Sequence, residues 1–182
     1  IIVTVGGSEG IDLALRCLLN PGDEVIIPTP SFVCYGPLAE MAGGVAKYLE
    51  LKVENKFRLT PEELRAAITP KTKVLVLPFP CNPTGGTMDR KDLEAIAEVL
   101  KDTDIMVLSD EIYAELTYGQ HHVSPANLTE LKDRTIVING FSKSHAMTGW
   151  RMGYAFGPEP IIKQMLKLHQ FGIMSAPTTS QY

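Results

Sequence analysis

Hydrophobic positions along the chain alternate between two patterns. Short apolar runs rich in β-branched residues occur at Ile1–Val5, Glu24–Ile27, Val45–Val53, Lys73–Leu77, Ile105–Leu108, Thr135–Ile138 and Trp150–Phe156. These read as strands. Between them, apolar residues recur at helical spacing: Ile11, Leu15, Leu18 and Leu19, then Leu64, Ala67 and Ile68, then Leu93, Ile96, Ala97 and Leu100. Two more helices are expected over Phe32–Met41 and Pro160–Phe171. Turn chemistry at Asn20-Pro21-Gly22-Asp23 and Gly43-Gly44 separates the elements. Thr60-Pro61-Glu62-Glu63 predicts a helix start, with Thr60 and Glu63 as a capping box and Pro61 in the first turn.

Continuous apolar strands between amphipathic helices imply an α/β fold: a mostly parallel sheet sandwiched by helices. Sites in such sheets form at the carboxyl ends of the strands. The polar and glycine-rich segments Gly6–Gly10, Asn82–Gly86, Ser109–Tyr113 and Phe141–Ser144 all follow strands. No repeat, low-complexity tract or linker divides the chain. It opens inside a strand at Ile1 and stops after a Ser/Thr/Pro stretch, so an internal segment of a longer protein is expected.

Composition narrows the function classes. With 182 residues the chain is long enough for one domain with a sizeable core. A net charge of −4 argues against a dedicated nucleic-acid surface. No apolar run approaches the ~20 residues that span a bilayer, and the longest, Val74–Phe79, contains Pro78. No membrane partner or signal peptide is expected. Cys17, Cys34 and Cys81 have no metal or redox spacing, which suits buried thiols in a reducing, cytoplasmic compartment. His121, His122, His145 and His169 form no metal-ligand pattern, and His121-His122 reads as an exposed loop.

Each segment after a strand carries a possible chemistry. Gly6-Gly7-Ser8-Glu9 opens a helix, where backbone N–H groups can hold an anion. Asn82-Pro83-Thr84-Gly85 is a rigid turn, with Asn82-Pro83 a candidate cis bond. Asp110 stands at a strand end, where a carboxylate near the interior needs a cationic partner. Lys143 follows another strand; a lysine serves as a nucleophile when its surroundings lower its pKa. Arg151, after Gly149-Trp150, suits a phosphate. Taken singly, each also fits a plain turn, helix cap or surface charge.

Their order is more informative. Asn82-Pro83-Thr84-Gly85, Ser109-Asp110-Glu111-Ile112-Tyr113, and the run Ser142-Lys143-Ser144-His145-Ala146-Met147-Thr148-Gly149-Trp150-Arg151-Met152-Gly153-Tyr154 together resemble the fold-type I aminotransferases of class I/II, which use pyridoxal 5'-phosphate. The resemblance covers essentially the whole chain. It implies the large domain of such an enzyme, incomplete over residues 1–182, with an N-terminal arm and a C-terminal small domain outside it.

The resemblance also implies roles. Lys143 would hold the cofactor as a Schiff base and shuttle the substrate proton. Asp110 would keep the pyridine nitrogen protonated. Asn82 and Tyr113 would hydrogen-bond the phenolic oxygen. Gly7, Ser8 and Glu9 would cradle the phosphate with Ser142 and Arg151, and Phe32 would stack on the ring. Glu9 departs from the small or amide residue common there; only its backbone is expected to serve, with its carboxylate turned away. The implied reaction moves an amino group from an L-amino acid to a 2-oxo acid, in a homodimer. Wording around Asp110 and Lys143 resembles a bacterial aromatic-amino-acid and N-acetyl-diaminopimelate subgroup. A carbon–sulfur β-lyase and an aminotransferase-like sensor domain of a transcription regulator are the alternatives.

Overall fold

The computed structural model describes residues 1–182. Seven strands form one sheet: β1 (Ile2–Val5), β2 (Glu24–Thr29), β3 (Val45–Glu50), β4 (Thr72–Leu77), β5 (Met106–Asp110), β6 (Thr135–Gly140) and β7 (Met152–Phe156). Their spatial order is β1-β7-β6-β5-β4-β2-β3. Strands β6, β5, β4, β2 and β3 run parallel, and β7 runs against both of its neighbours. Apolar spacing encodes no strand direction. The reversal of β7 arises because residues 141–151 turn the chain straight back beside β6.

Five helices cover the sheet: α1 (Gly6–Leu18), α2 (Tyr35–Met41), α3 (Pro61–Ala67), α4 (Arg90–Leu100) and α5 (Glu159–Gly172). The capping box at α3 is present: Glu63 N–H donates to Thr60 Oγ1, and Thr60 N–H donates to Glu63. Three boundaries differ from the sequence pattern. β3 stops at Glu50, opposite Thr29 where β2 ends; Leu51 N–H still donates to Thr29 O, and residues 53–55 then turn away as a 3₁₀ helix. α2 starts at Tyr35, after Val33 and Cys34 turn the chain out of β2. β7 starts at Met152, because residues 148–150 form a 3₁₀ turn and Arg151 is left-handed at φ 51°.

Alternation along the strands explains why they are apolar throughout. Leu75 and Leu77 point into one core, with Leu64 of α3 and Leu93, Ile96 and Leu100 of α4. Val74 and Val76 point into the other, with Ile11 and Leu15 of α1, Tyr35 of α2 and Met165 of α5. Successive side chains face opposite sides of a strand, so a doubly covered sheet needs apolar residues at every position. Each fully buried Leu or Ile contributes roughly 1.5–3 kcal/mol by leaving water. These two cores hold the strand ends still, and the polar segments converge there. No helix is long and apolar enough to cross a membrane.

Candidate active site

A cavity of about 270 Å³ opens at the carboxyl edge of the sheet. It is lined by Gly7 and Ser8 after β1, Phe32 and Tyr35 after β2, and Asn82 after β4. Asp110, Ile112 and Tyr113 come from the end of β5, Ser142 and Lys143 follow β6, and Arg151 precedes β7. Because β7 is antiparallel, its start lies at the same edge as the ends of β1 and β6. Nine of the ten residues singled out in the sequence therefore line one cavity. Glu9 does not.

The end nearest α1 brings an uncapped helix start and the Arg151 guanidinium together. Val5, the residue before α1, offers no side-chain cap, so the first-turn N–H groups remain available to a ligand. Gly6 takes φ +72°, and the Arg151 guanidinium lies where a β-carbon on Gly6 would sit. Arg151 Nη1 donates to Thr148 O at 3.0 Å, which fixes the arm of the guanidinium. Gly153, directly across from Thr4, packs so closely that a β-carbon would strike the backbone of Gly6 and Gly7. Two glycines and one arginine thus set the shape of this end. The Glu9 carboxylate turns away from it, accepting from Val5 N–H and from His169 Nδ1.

Asp110 is buried, and burial raises its carboxyl above the ordinary range near 3.8. Hydrogen bonds from Tyr35 and from Ile112 N–H pull it down, and the neighbouring charge of Glu111 pushes it up. Tyr35 Oη donates to Asp110 Oδ2 at 2.6 Å, and Ile112 N–H donates to Oδ1 at 3.2 Å. The phenol of Tyr35 is in turn raised well above its usual value by burial and by Asp110. Both carboxylate oxygens are thus positioned from within the protein. Neither oxygen is bonded to a protein cation.

Lys143 Nζ lies 5.8 Å from the centre of the Tyr113 ring. Thr148 Oγ1 donates to Ser142 O at 2.9 Å, which ties the turn bearing Lys143 to the turn bearing Arg151. Asn82 precedes a cis proline, Pro83, and Phe32 meets Tyr35 edge-on, with ring centres 5.9 Å apart. The constellation contains a buried carboxylate, an amine, and an anion cradle backed by an arginine.

The family model for aminotransferase class I and II matches residues 1–182. The chain belongs to this family. Among curated relatives, an aspartate aminotransferase of Geobacillus stearothermophilus is 47% identical over 100% of this chain and 47% of its own length. A Bacillus subtilis protein named "Probable N-acetyl-LL-diaminopimelate aminotransferase" is 48% identical over 100% of this chain and 45% of its own. The solved aromatic aminotransferase of Pyrococcus horikoshii superposes with TM-score 0.96 at 41% identity, over 100% of this chain and 49% of that one. The chain spans about half the length of the curated relatives it matches.

Within this aminotransferase frame, Tyr35 is the lining residue that sequence reasoning missed. A signal existed: a tyrosine on an apolar helix face needs a partner for its hydroxyl when buried. Ile11, Pro78, Pro80, Ile112 and Thr148 complete the wall. His122 corrects a second expectation. It is no free loop residue, because its Nε2 lies 2.9 Å from Glu111 Oε2, and Ser109 and Ser124 hydroxyls donate to Glu111 Oε1. His121 alone is exposed. Burial and Asp110 push the Cys34 thiol up to about 12, and burial raises Cys17 and Cys81.

Proposed function

We propose that this chain is the cofactor-holding large domain of an enzyme that uses pyridoxal phosphate to transfer an amino group from an L-amino acid to a 2-oxo acid. One observation carries the reading: a buried carboxylate without a protein cation, a lysine amine and an arginine-backed anion cradle line a single cavity. Pyridoxal phosphate matches this set with a ring N–H, a carbonyl and a phosphate. When bound, it supplies a conjugated ring that holds the electrons released at the substrate α-carbon.

The chain's own residues do the rest. Asp110, held by Tyr35 and Ile112 N–H, would accept from the ring N–H and keep that nitrogen protonated. Asn82 and Tyr113 would donate to the ring oxygen, and Phe32 would cover the ring face. Gly7 and Ser8 N–H groups, Ser142 and Arg151 hold the phosphate. Glu9 contributes backbone only. Lys143 would hold the cofactor through its amine and, as a free amine, would carry the proton taken from the substrate α-carbon.

The finer assignments extend the same reading. Amino donors are aspartate, aromatic or diaminopimelate-like, the range spanned by the names of the relatives. The remaining length of the relatives is where we place the group that binds the substrate carboxylate, together with an N-terminal arm, a small domain and homodimer contacts. Unpaired thiols and an acidic chain suit the cytoplasm. The relatives are named as aminotransferases, which favours amino transfer over the β-lyase and sensor readings.

The test is chemical. The intact protein is treated with pyridoxal phosphate and then with borohydride, and the labelled residue is read by peptide mass. Label on Lys143, together with amino transfer to 2-oxoglutarate, is expected. Label retained in Lys143→Ala, or pyruvate release from cystathionine without amino transfer, would overturn the proposal.

A further inference from the structure

The anion cradle has a competitor built into its own helix. Glu9 lies in the first turn of α1, one residue beyond Ser8. A carboxylate there is drawn toward the same first-turn N–H groups that attract a phosphate. Turned inward, it would occupy or repel the anion site. Two contacts hold it outward instead. Val5 N–H donates to Glu9 Oε2, and His169 Nδ1 lies 2.8 Å from Glu9 Oε1.

His169 is itself fixed. It is buried in the last turn of α5, and its carbonyl accepts the N–H groups of both Ile173 and Met174, which close that helix. The carboxylate oxygen can only accept, so Nδ1 donates, and the ring presents a positive edge to Glu9 in either charge state. Glu9 is thereby held at one end by the backbone of β1 and at the other by a helix 160 residues away in the chain.

We infer that Glu9 and His169 are a positioning pair that keeps the Gly7-Ser8 cradle open to the phosphate of the cofactor. The inference rests on the reading of the cavity given above. Glu9 touches no ligand; it acts through the N–H groups it leaves unoccupied. His169 sets its direction.

The experiment measures affinity of the intact, cofactor-free protein for pyridoxal phosphate, for unphosphorylated pyridoxal and for inorganic phosphate. In His169→Leu, which removes the donor to Glu9 and keeps side-chain volume, pyridoxal phosphate and phosphate should bind about fivefold more weakly, with pyridoxal unchanged, the size expected of a unit charge near a helix end. Adding Glu9→Gln to that variant removes the competing charge and should restore both affinities. Equal weakening for all three ligands, or no recovery in the double variant, would overturn the inference. Failure of the unaltered protein to bind pyridoxal phosphate would instead sink the cofactor assignment, which separates the two claims. The ratio of phosphorylated to unphosphorylated ligand is the deciding readout, because a general loss of folding would leave it unmoved.

Discussion

The guanidinium of Arg151 fills the space that a β-carbon on Gly6 would need. Both residues have left-handed backbones, Gly6 at φ +72° and Arg151 at φ 51°. Glycine accepts this conformation freely, whereas an arginine there costs about 1–2 kcal/mol. That strain places a cation beside the first turn of α1. Gly6→Ala should therefore act mainly on phosphate binding. The guanidinium is the far end of a flexible side chain and can swing away, so stability should fall by only about 1–2 kcal/mol, the cost of an alanine in a left-handed conformation. Affinity for pyridoxal phosphate should fall by about tenfold or more, as one charge-assisted contact is lost. Titration of the intact protein alongside thermal melting checks this; a variant that melts far lower but binds normally would contradict it.

Tyr35 offers a second prediction. Its hydroxyl stabilises the ionised form of Asp110, lowering a carboxyl that burial raises. Tyr35→Phe removes the donor and keeps the ring that packs in the core. Asp110 should then titrate higher still. In the intact enzyme the acidic limb of the pH–rate profile should move to higher pH, and the rate at neutral pH should drop about tenfold, the value of one hydrogen bond to a buried charge. An unshifted acidic limb would show that Tyr35 packs against Asp110 without tuning it.

These contacts also show which parts of the molecule the sequence can disclose. Strands, helices and the positions of Asp110 and Lys143 follow from local pattern, because side-chain alternation and helical spacing are set by neighbours along the chain. Asn82 and Arg151 were legible for the same reason, each lying in a segment that follows or precedes a strand. Tyr35 was not, because its partner is 75 residues away. His169 meets Glu9 across 160 residues, and no periodicity reports such a meeting. The direction of β7 and the left-handed turn at Arg151 belong to the same class: both depend on how the chain packs against β1 and β6.

Glu111 gives a prediction about stability. It follows Asp110 but points to a different set of partners: Ser109, Ser124 and His122. A buried carboxylate with three such partners ties the segment up to residue 124 back onto the end of β5. Glu111→Ala leaves three polar groups without their acceptor and should cost about 3 kcal/mol. Ser124→Ala removes the bond to Glu111 and the acceptor of Ala126 N–H, and should cost about 1–2 kcal/mol. Glu111→Gln keeps acceptor and donor atoms in place and should fall between them. Urea melts of the three variants order these costs; a Glu111→Ala protein within about 0.5 kcal/mol of the unaltered one would mean that the cluster is solvated in practice.

Asp110 holds the opposite balance between function and stability. Its carboxyl is raised by burial above the ordinary value near 3.8. Between that value and the raised one, the folded state binds more protons than the unfolded state, so stability falls as pH climbs through the window. Above it, the cofactor-free fold carries the full cost of a buried charge. Asp110→Asn removes the charge; its one oxygen can accept from Ile112 N–H, and its amide N–H then donates to Tyr35 Oη, which reverses that bond. The cofactor-free variant should melt at least about 2 °C higher than the unaltered protein at pH 7, which corresponds to roughly 1 kcal/mol in a chain of this size. Below pH 3, where the aspartate is itself protonated, the difference should vanish. Amino transfer by the intact enzyme should fall by at least about a hundredfold, because a neutral amide cannot hold the ring nitrogen protonated. A lower melting temperature at pH 7, or a gap that does not close in acid, would show that Asp110 is balanced by a charge within the protein and does not wait for a ligand to balance it.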